Sequence, residues 1–546
     1  SAVIKIDRHN IAERLYRVTG QGIYRDSIMT GTPVPLKNPV LNGQVMGQDS
    51  VFTCIYKGKL FWMWGDTARP SYPLGNFAMS GAVSELPGRG GLDPSVGVNL
   101  EYYVGADGFS RKMSPLKEPG LVWLDGLLTV RDPQGNQRMV AKFARLKGLG
   151  EVLERGLMVF NDATETFEPL VRGNLEFLPY RNTGHAFRVE VEGRPYYYFT
   201  SPSPMGARLR VRAKWDDIID PNRYEVLTAL KRTSDAGWVK FGDLIASQNS
   251  TKLAVIEALE KEAKGVKVYD VKSGKSITPH NGTVYFNEYQ RRWIGIFVQQ
   301  FGQPSNLGEV WYAEADTPVG PWAYAKKIVT HNKYSFYNPK QHPFFDTEGG
   351  RVIFFEGTYS FTFSGSLETS TPRYDYNQIM YRMNLDDPRL VLPVAVYQVR
   401  DESVGWANSV LPTRNYLLRD GVEKANKWDL VESIPFYAVE PKQAHGEHVP
   451  IYADKGQSGR LTAERPNPSA EPLFYALPSS KSESENKCIM PLYEYRNGDT
   501  EQLIYSTKSA IEEKGWTRTE DPVCRIFKAP PAPLLLDRAA KPAAGP

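Results

Sequence analysis

Between about residues 49 and 400 the sequence repeats one block: two strand-like runs across a tight turn, then a third run and a fourth. The first block is DSVFTCIY (49–56), the turn KGK, LFWMWGDT (60–67), FAMSGAVSEL (77–86) and NLEYYVG (99–105). Later blocks open on LVWLDGLLTV (121–130), HAFRVEVEGRPYYYFTS (185–201), HNGTVYFNEYQRRWIGIFVQQ (280–300) and HPFFDTEGGRVIFFEGTYS (342–360). A lone hairpin is marginal in water, so each block needs its neighbours for burial. Five four-stranded units at roughly 60–70 residue spacing predict an all-β fold, a five-bladed β-propeller over 49–400.

Around that unit, residues 1–48 read as an N-terminal segment and 401–439 as a linker. Short strands such as PLYEYRNGD and EQLIYST make 440–530 a small C-terminal β-rich accessory module. The Pro/Ala-rich stretch 531–546 is expected to be extended and mobile. One insertion, STKLAVIEALEKEAKG (250–265), carries a helical period and a closing Gly265, so a helix is expected there.

The 24 Phe, 30 Tyr and 11 Trp beside 46 Gly and 40 Pro suit short strands joined by turns, and also sugar-binding clefts. A net charge of +4 on 546 residues leaves no electrostatic footprint for nucleic acid. No apolar stretch is long enough to span a membrane as a helix. Cys54, Cys488 and Cys524 provide neither a disulfide framework nor metal-ligand spacing, although Cys488 and Cys524 could pair within the C-terminal module.

In an antiparallel four-stranded unit, the start of strand one, the end of strand two and the start of strand three share one face. Asp49, His185, His280 and His342 stand at strand-one starts. Asp66, Thr200, Gln299, Gln300 and Glu356 stand at strand-two ends, and Glu309 opens a third strand. The opposite ends carry solvated turns such as KGK and DPQGNQ, so groups able to do chemistry collect at one mouth. Glu356 follows the apolar run Val352–Phe355, where burial would raise its pKa as an acid catalyst needs. Tyr337 and Tyr359 offer flat faces for sugar rings, and Arg373 could hold an acidic substituent. Each also has a structural reading: carboxylates cap amides, histidines hydrogen-bond within propellers, and tryptophans 62 and 64 pack between blades.

The segments DSVFTCIYKGKLFWMWGDT and GEVWYAEADTPVGPWAYAKKIVTH resemble blade elements of bacterial five-bladed propeller proteins related to glycoside hydrolases. That group includes arabinan- and fructan-cleaving enzymes, and relatives with a similar WGDT element include D-arabinan-degrading enzymes. The resemblance covers residues 40–400. It implies that a blade-one Asp near the axis serves as base or nucleophile and a Glu from a later blade as acid; Asp49 and Glu356 match those roles. The chain departs from the pattern in placing His at several strand starts, where the group more often has carboxylates.

The expected activity is therefore glycoside hydrolysis, with Glu356 as acid, Asp49 as base or nucleophile, and Asp66 or Glu309 as pKa modulator. His185, His280, His342, Gln299, Tyr337, Tyr359 and Arg373 are the expected substrate-binding residues. Two other readings stay open: a polysaccharide lyase using His280 or His342 with Tyr337 and Arg373, and a non-catalytic glycan-binding propeller. The partner in each is a carbohydrate. No cofactor is required, and a channel Ca²⁺ is compatible with all three. The resemblance and a start at Ser1 imply a secreted or periplasmic protein.

Overall fold

The structure is a computed structural model describing residues 8–543 apart from 174–183, 201–207, 229, 231–236, 249, 265, 371–374, 401–413, 455–459, 481–485, 500–501, 513 and 532–534. The chain is mostly β, and the sequence blocks appear as successive antiparallel sheets. Phe52–Tyr56, Lys59–Trp64, Ser80–Ser84 and Glu101–Tyr102 form the first in that order. Its second strand is buried from Leu60 to Trp64, as a continuous apolar run demands. The second sheet is Leu121–Arg131, Gln137–Lys147, Glu151–Asn161 and Thr166–Gly173. The third opens on Ala186–Val191 and Arg194–Phe199, the fourth on Pro279–Asn287 and Arg292–Gln299. The expected helix spans Lys252–Lys264.

Contacts pass from each sheet to the next and from the last back to the first. Cys54 meets Met139, and the amide of Gly126 donates to Gly184. Phe187 packs against Tyr285, whose hydroxyl accepts from Lys340 Nζ at 2.8 Å. The amide of Ser50 donates to Thr358 Oγ1 at 3.0 Å and completes the circuit.

The fifth sheet departs from its expected register. Its first strand is Ser335–Gln341, upstream of the expected start at His342. Pro339 disguises this strand in the sequence; it sits in a bulge between Tyr337 and Lys340, where its missing N–H breaks no ladder bond. Residues Pro343–Phe345 form a 3-10 turn, and the second strand is Val352–Ser360. His342 thus lies at the far end of the first strand, and Glu356 in the middle of the second, opposite Lys340 and Met380.

The fourth strand of that sheet is Glu13–Arg17 of the N-terminal segment, which pairs with Asn377–Asn384, and the VAVYQV run (394–399) at the end of the expected propeller span lies outside it. Val394–Arg400 instead joins Arg414–Leu417, Val431–Ala438, Cys524–Lys528 and Ile489–Asn497 in a C-terminal sheet. The segment read as a linker therefore supplies two strands of that sheet. Alternating apolar residues fix which face is buried, not which strand lies alongside. Arg292 of the fourth sheet is buried against Asp316 and bonds Glu440, which ties the two parts together.

The tail also differs from its expectation. Ala540–Pro542 pairs with Val189–Val191, and buried Asp537 accepts from Tyr198 (2.5 Å), Trp238 Nε1 (2.9 Å) and Arg210 (3.3 Å). Leu535, Ala539 and Ala540 pack on the core beneath, so an Ala/Pro-rich composition here is anchored by one carboxylate. All three cysteines are free thiols, so the pairing open to Cys488 and Cys524 is not made.

Candidate active site

A cavity of about 390 Å³ opens at one end of the sheets, and all five contribute to its wall. The first supplies Asp49, Ser50 and Gly65; the second Trp123, Asp125 and Arg155. His185 and Thr200 come from the third, Asn281 and Gly282 from the fourth, and Asn338 from the fifth. Asp49 and His185, expected at strand-one starts, both line this cavity.

Asp49 is the most constrained group in it. Its Oδ1 accepts the amide of Asp66 at 2.9 Å, and its Oδ2 accepts the hydroxyl of Tyr337 at 3.2 Å. The phenol of Tyr376 lies against the same carboxylate and 3.1 Å from the Asp66 carbonyl oxygen. These donors favour the charged form, yet burial and the nearby Asp66 outweigh them and push the Asp49 carboxyl up to about 7. Gly65 makes this arrangement possible: a Cβ there would stand 2.3 Å from Asp49 Oδ1.

Asp66 is half-buried, and burial raises its pKa as well. Its Oδ1 accepts Trp123 Nε1–H at 3.0 Å, which links it to the second sheet. A hydrogen-bonded chain continues round the mouth: Asn281 Nδ2 donates to Asn338 Oδ1 at 2.5 Å, and Asn338 Nδ2 to Ser50 Oγ at 2.6 Å. Ser50, Met79, Asn338 and Tyr376 all hold left-handed φ between 52° and 58°. Non-glycine residues in that region cost of order 1–3 kcal/mol each, and such strain gathers at functional sites.

Among the expected residues, the structure brings together Asp49, Asp66, His185 and Tyr337. The His185 amide donates to Thr200 Oγ1 at 2.9 Å, and burial holds its imidazole neutral. His280 is half-buried beside Asn281, and its Nδ1 has no partner among the described residues.

Glu356 is not at the mouth. It is 0 % exposed, its Oε1 lies 3.0 Å from His342 Nε2, and His342 is itself enclosed by Trp62, Phe344 and Phe345. The expected pKa rise is present, to about 8, but it comes from burial in the interior, away from the cavity. Glu309 is equally buried, with Thr330 donating at 2.7 Å and Lys327 Nζ at 2.6 Å, the arrangement of a structural ion pair. Gln299 accepts from Trp311, and Tyr359 stacks on Tyr334 with centroids 4.4 Å apart; neither lines the cavity. Arg373 lies outside the described residues.

Sequence reasoning missed Asp125, Arg155, Asn281, Asn338 and Tyr376. Asp125 did leave a signal, a carboxylate inside the apolar run LVWLDGLLTV and followed by glycine. Among the described residues no group of three or more His, Cys, Asp or Glu is placed to hold a metal ion, so a channel Ca²⁺ finds no side-chain ligand set. No described helix is long and apolar enough to cross a membrane.

No family model and no curated protein matches the chain. Similar solved structures include glycoside hydrolases. A GH43 β-1,3-galactosidase is 9% identical, with 95% of this chain and 94% of that one covered and a TM-score of 0.35. An exo-β-1,3-galactanase from Phanerochaete chrysosporium is 9% identical, covering 94% of each chain at a TM-score of 0.33. An endo-arabinase from Bacteroides thetaiotaomicron VPI-5482 is 12% identical, covering 63% and 96% at a TM-score of 0.29.

Proposed function

We propose that the chain is a glycoside hydrolase built on a five-bladed β-propeller, with Asp49 and Asp66 as its catalytic carboxylates. The observation that carries this reading is Asp49: a half-buried carboxyl with a pKa near 7, beside a second carboxylate, at a cavity walled by all five sheets. A proton held at that pKa is available near neutrality for transfer to a departing glycosidic oxygen. Asp66 Oδ1 is committed to Trp123, which leaves Oδ2 as the oxygen to activate water or attack the anomeric carbon. Tyr337 and Tyr376 stabilise the Asp49 carboxylate left behind, and His185, neutral by burial, hydrogen-bonds sugar hydroxyls.

The substrate in this reading is a carbohydrate polymer or oligomer, and a polymer too large to enter the cell places the enzyme outside the cytoplasm or in the periplasm. The C-terminal sheet from Val394 to Lys528 acts as an accessory module fixed to the fourth blade through Arg292. The test is product analysis on a panel of neutral and acidic polysaccharides. New reducing ends without ultraviolet-absorbing product are expected, lost at least a hundredfold in Asp49→Asn and in Asp66→Asn. Wild-type turnover in both variants refutes the assignment. Unsaturated product indicates a lyase, and calorimetric binding without product a glycan-binding propeller.

A further inference from the structure

We propose that Lys142 is a positioning residue: its buried ammonium fixes the charge and aim of Asp125, which presents its carboxylate to the glycan in the cavity. What Asp125 touches rests on the hydrolase reading; its coupling to Lys142 does not.

Lys142 lies mid-strand in Gln137–Lys147 and is 2 % exposed. Its Nζ has no hydrogen-bond partner among the described residues, and stands 3.7 Å from the ring centre of Phe199 and 4.8 Å from that of Tyr224. Two aromatic faces offset only part of the cost of taking an ammonium out of water. A methionine would fill the space without that cost, so packing does not account for a lysine here.

The compensating charge lies across the strand pair. Asp125 and Lys142 are register partners, so their side chains leave the same face of the sheet. A bulge creates this pairing. Val140 faces Leu128, and an unbroken register from there would set Lys142 against Gly126 and Phe143 against Asp125. Asp125 would then point toward the first sheet, because a one-residue slip exchanges faces. Instead the register shifts between Val140 and Lys142, at Gly126 with φ of +58°, and Asp125 turns to the third-sheet side beside Lys142. On that side Leu128, Val140 and Leu157 pack with Phe199 and Tyr224, and Asp125 reaches the cavity.

The described charges around the pair are as follows. Burial lowers the Lys142 amine to about 7 while Asp125 opposes the fall. Tyr224, the other titratable group against Lys142, spends its hydroxyl on the Ile218 carbonyl. At the cavity wall Asp125 is accompanied by Arg155, from the strand on the far side of the Lys142 strand, and by His185, which burial keeps neutral.

The test compares Lys142→Met, Asp125→Asn and the double variant in the full chain. With ¹³C-carboxyl-labelled aspartate, the Asp125 resonance is assigned by its loss in Asp125→Asn and titrated. Lys142→Met should raise the Asp125 midpoint by about one pH unit or more. Tm is recorded beside it, since losing the buried ammonium and losing the partner charge of Asp125 act in opposite directions. On a substrate found as above, kcat/KM should fall at least tenfold, with the acid limb displaced by the same interval, and the double variant should be no worse than Asp125→Asn. An unmoved midpoint overturns the proposal, whatever happens to Tm or turnover. Lys142→Gln, which keeps a polar tip, serves if the methionine variant does not fold. Turnover surviving in Asp49→Asn and Asp66→Asn sinks the hydrolase reading alone, because the Asp125 midpoint is read without substrate.

Discussion

Glu356→Gln separates a catalytic acid from a buried structural one. The protonated side chain and glutamine are nearly isosteric, and either can donate to His342 Nε2. In the wild type the folded state holds the Glu356 proton to about pH 8, whereas the unfolded chain releases it near 4.5. The folded state therefore binds more protons across that interval, so stability falls as pH rises through it. Each pH unit costs about 1.4 kcal/mol, which accumulates to about 3 kcal/mol by pH 7 and about 5 kcal/mol above pH 8. Since Glu356 is fully buried, solvent screening takes little from this figure. At about 2 cal/mol/K per residue the chain's unfolding entropy is about 1 kcal/mol/K, so the full effect is a Tm shift of about 5 °C.

Differential scanning calorimetry of both proteins from pH 5 to 9 reads it directly. The wild-type Tm should fall relative to that of Glu356→Gln as pH rises, because Asp49 and Asp346 titrate alike in both and cancel. Turnover at pH 6–7 should stay within about threefold of wild type. Parallel Tm curves would refute the linkage, and a hundredfold loss of turnover in a folded variant would return Glu356 to catalysis.

The remaining expectations concern the cavity and the tail. Gly65→Ala places a methyl group against Asp49 Oδ1 and should cut turnover at least tenfold, for about 1–3 kcal/mol of stability by denaturant melt. If Asp49 is the proton donor, the basic limb of the kcat/KM profile should have a midpoint near pH 7 and vanish in Asp49→Asn. Asp537→Ala leaves Tyr198 and Trp238 without their acceptor and should destabilise by about 3–5 kcal/mol, seen as a lower midpoint in urea.

Much of the fold is legible because its blocks carry their own turns and burial pattern. The first four sheets keep the order in which their runs occur in the sequence. The fifth was misread where a local signal misled: Pro339 hid a real strand, so the start slipped to His342, and Glu356 moved from mid-strand to the mouth. The candidate site was legible where chemistry sits at strand ends, as with Asp49, Asp66 and His185. It was not legible where a bulge decides the face: Asp125 and the glycine after it stand out in their run, but the register shift that turns the side chain does not. Of the lyase candidates, His342 is enclosed and Tyr337 donates to Asp49, whereas His280 is half-buried with Nδ1 unpartnered among the described residues.

The pairing of Glu13 with Arg382 has a consequence for the birth of the chain. Glu13–Arg17 is made well before its partner, some 370 residues downstream, which at 5–20 residues per second is roughly 20–75 s of synthesis. Throughout that interval the edge of Asn377–Asn384 does not yet exist and Glu13–Arg17 is an unpaired segment on the ribosome. A nascent chain halted before Asn377 should hold its early sheets while Glu13–Arg17 stays open to protease, so the strand that closes this sheet is among the earliest made and the last to dock.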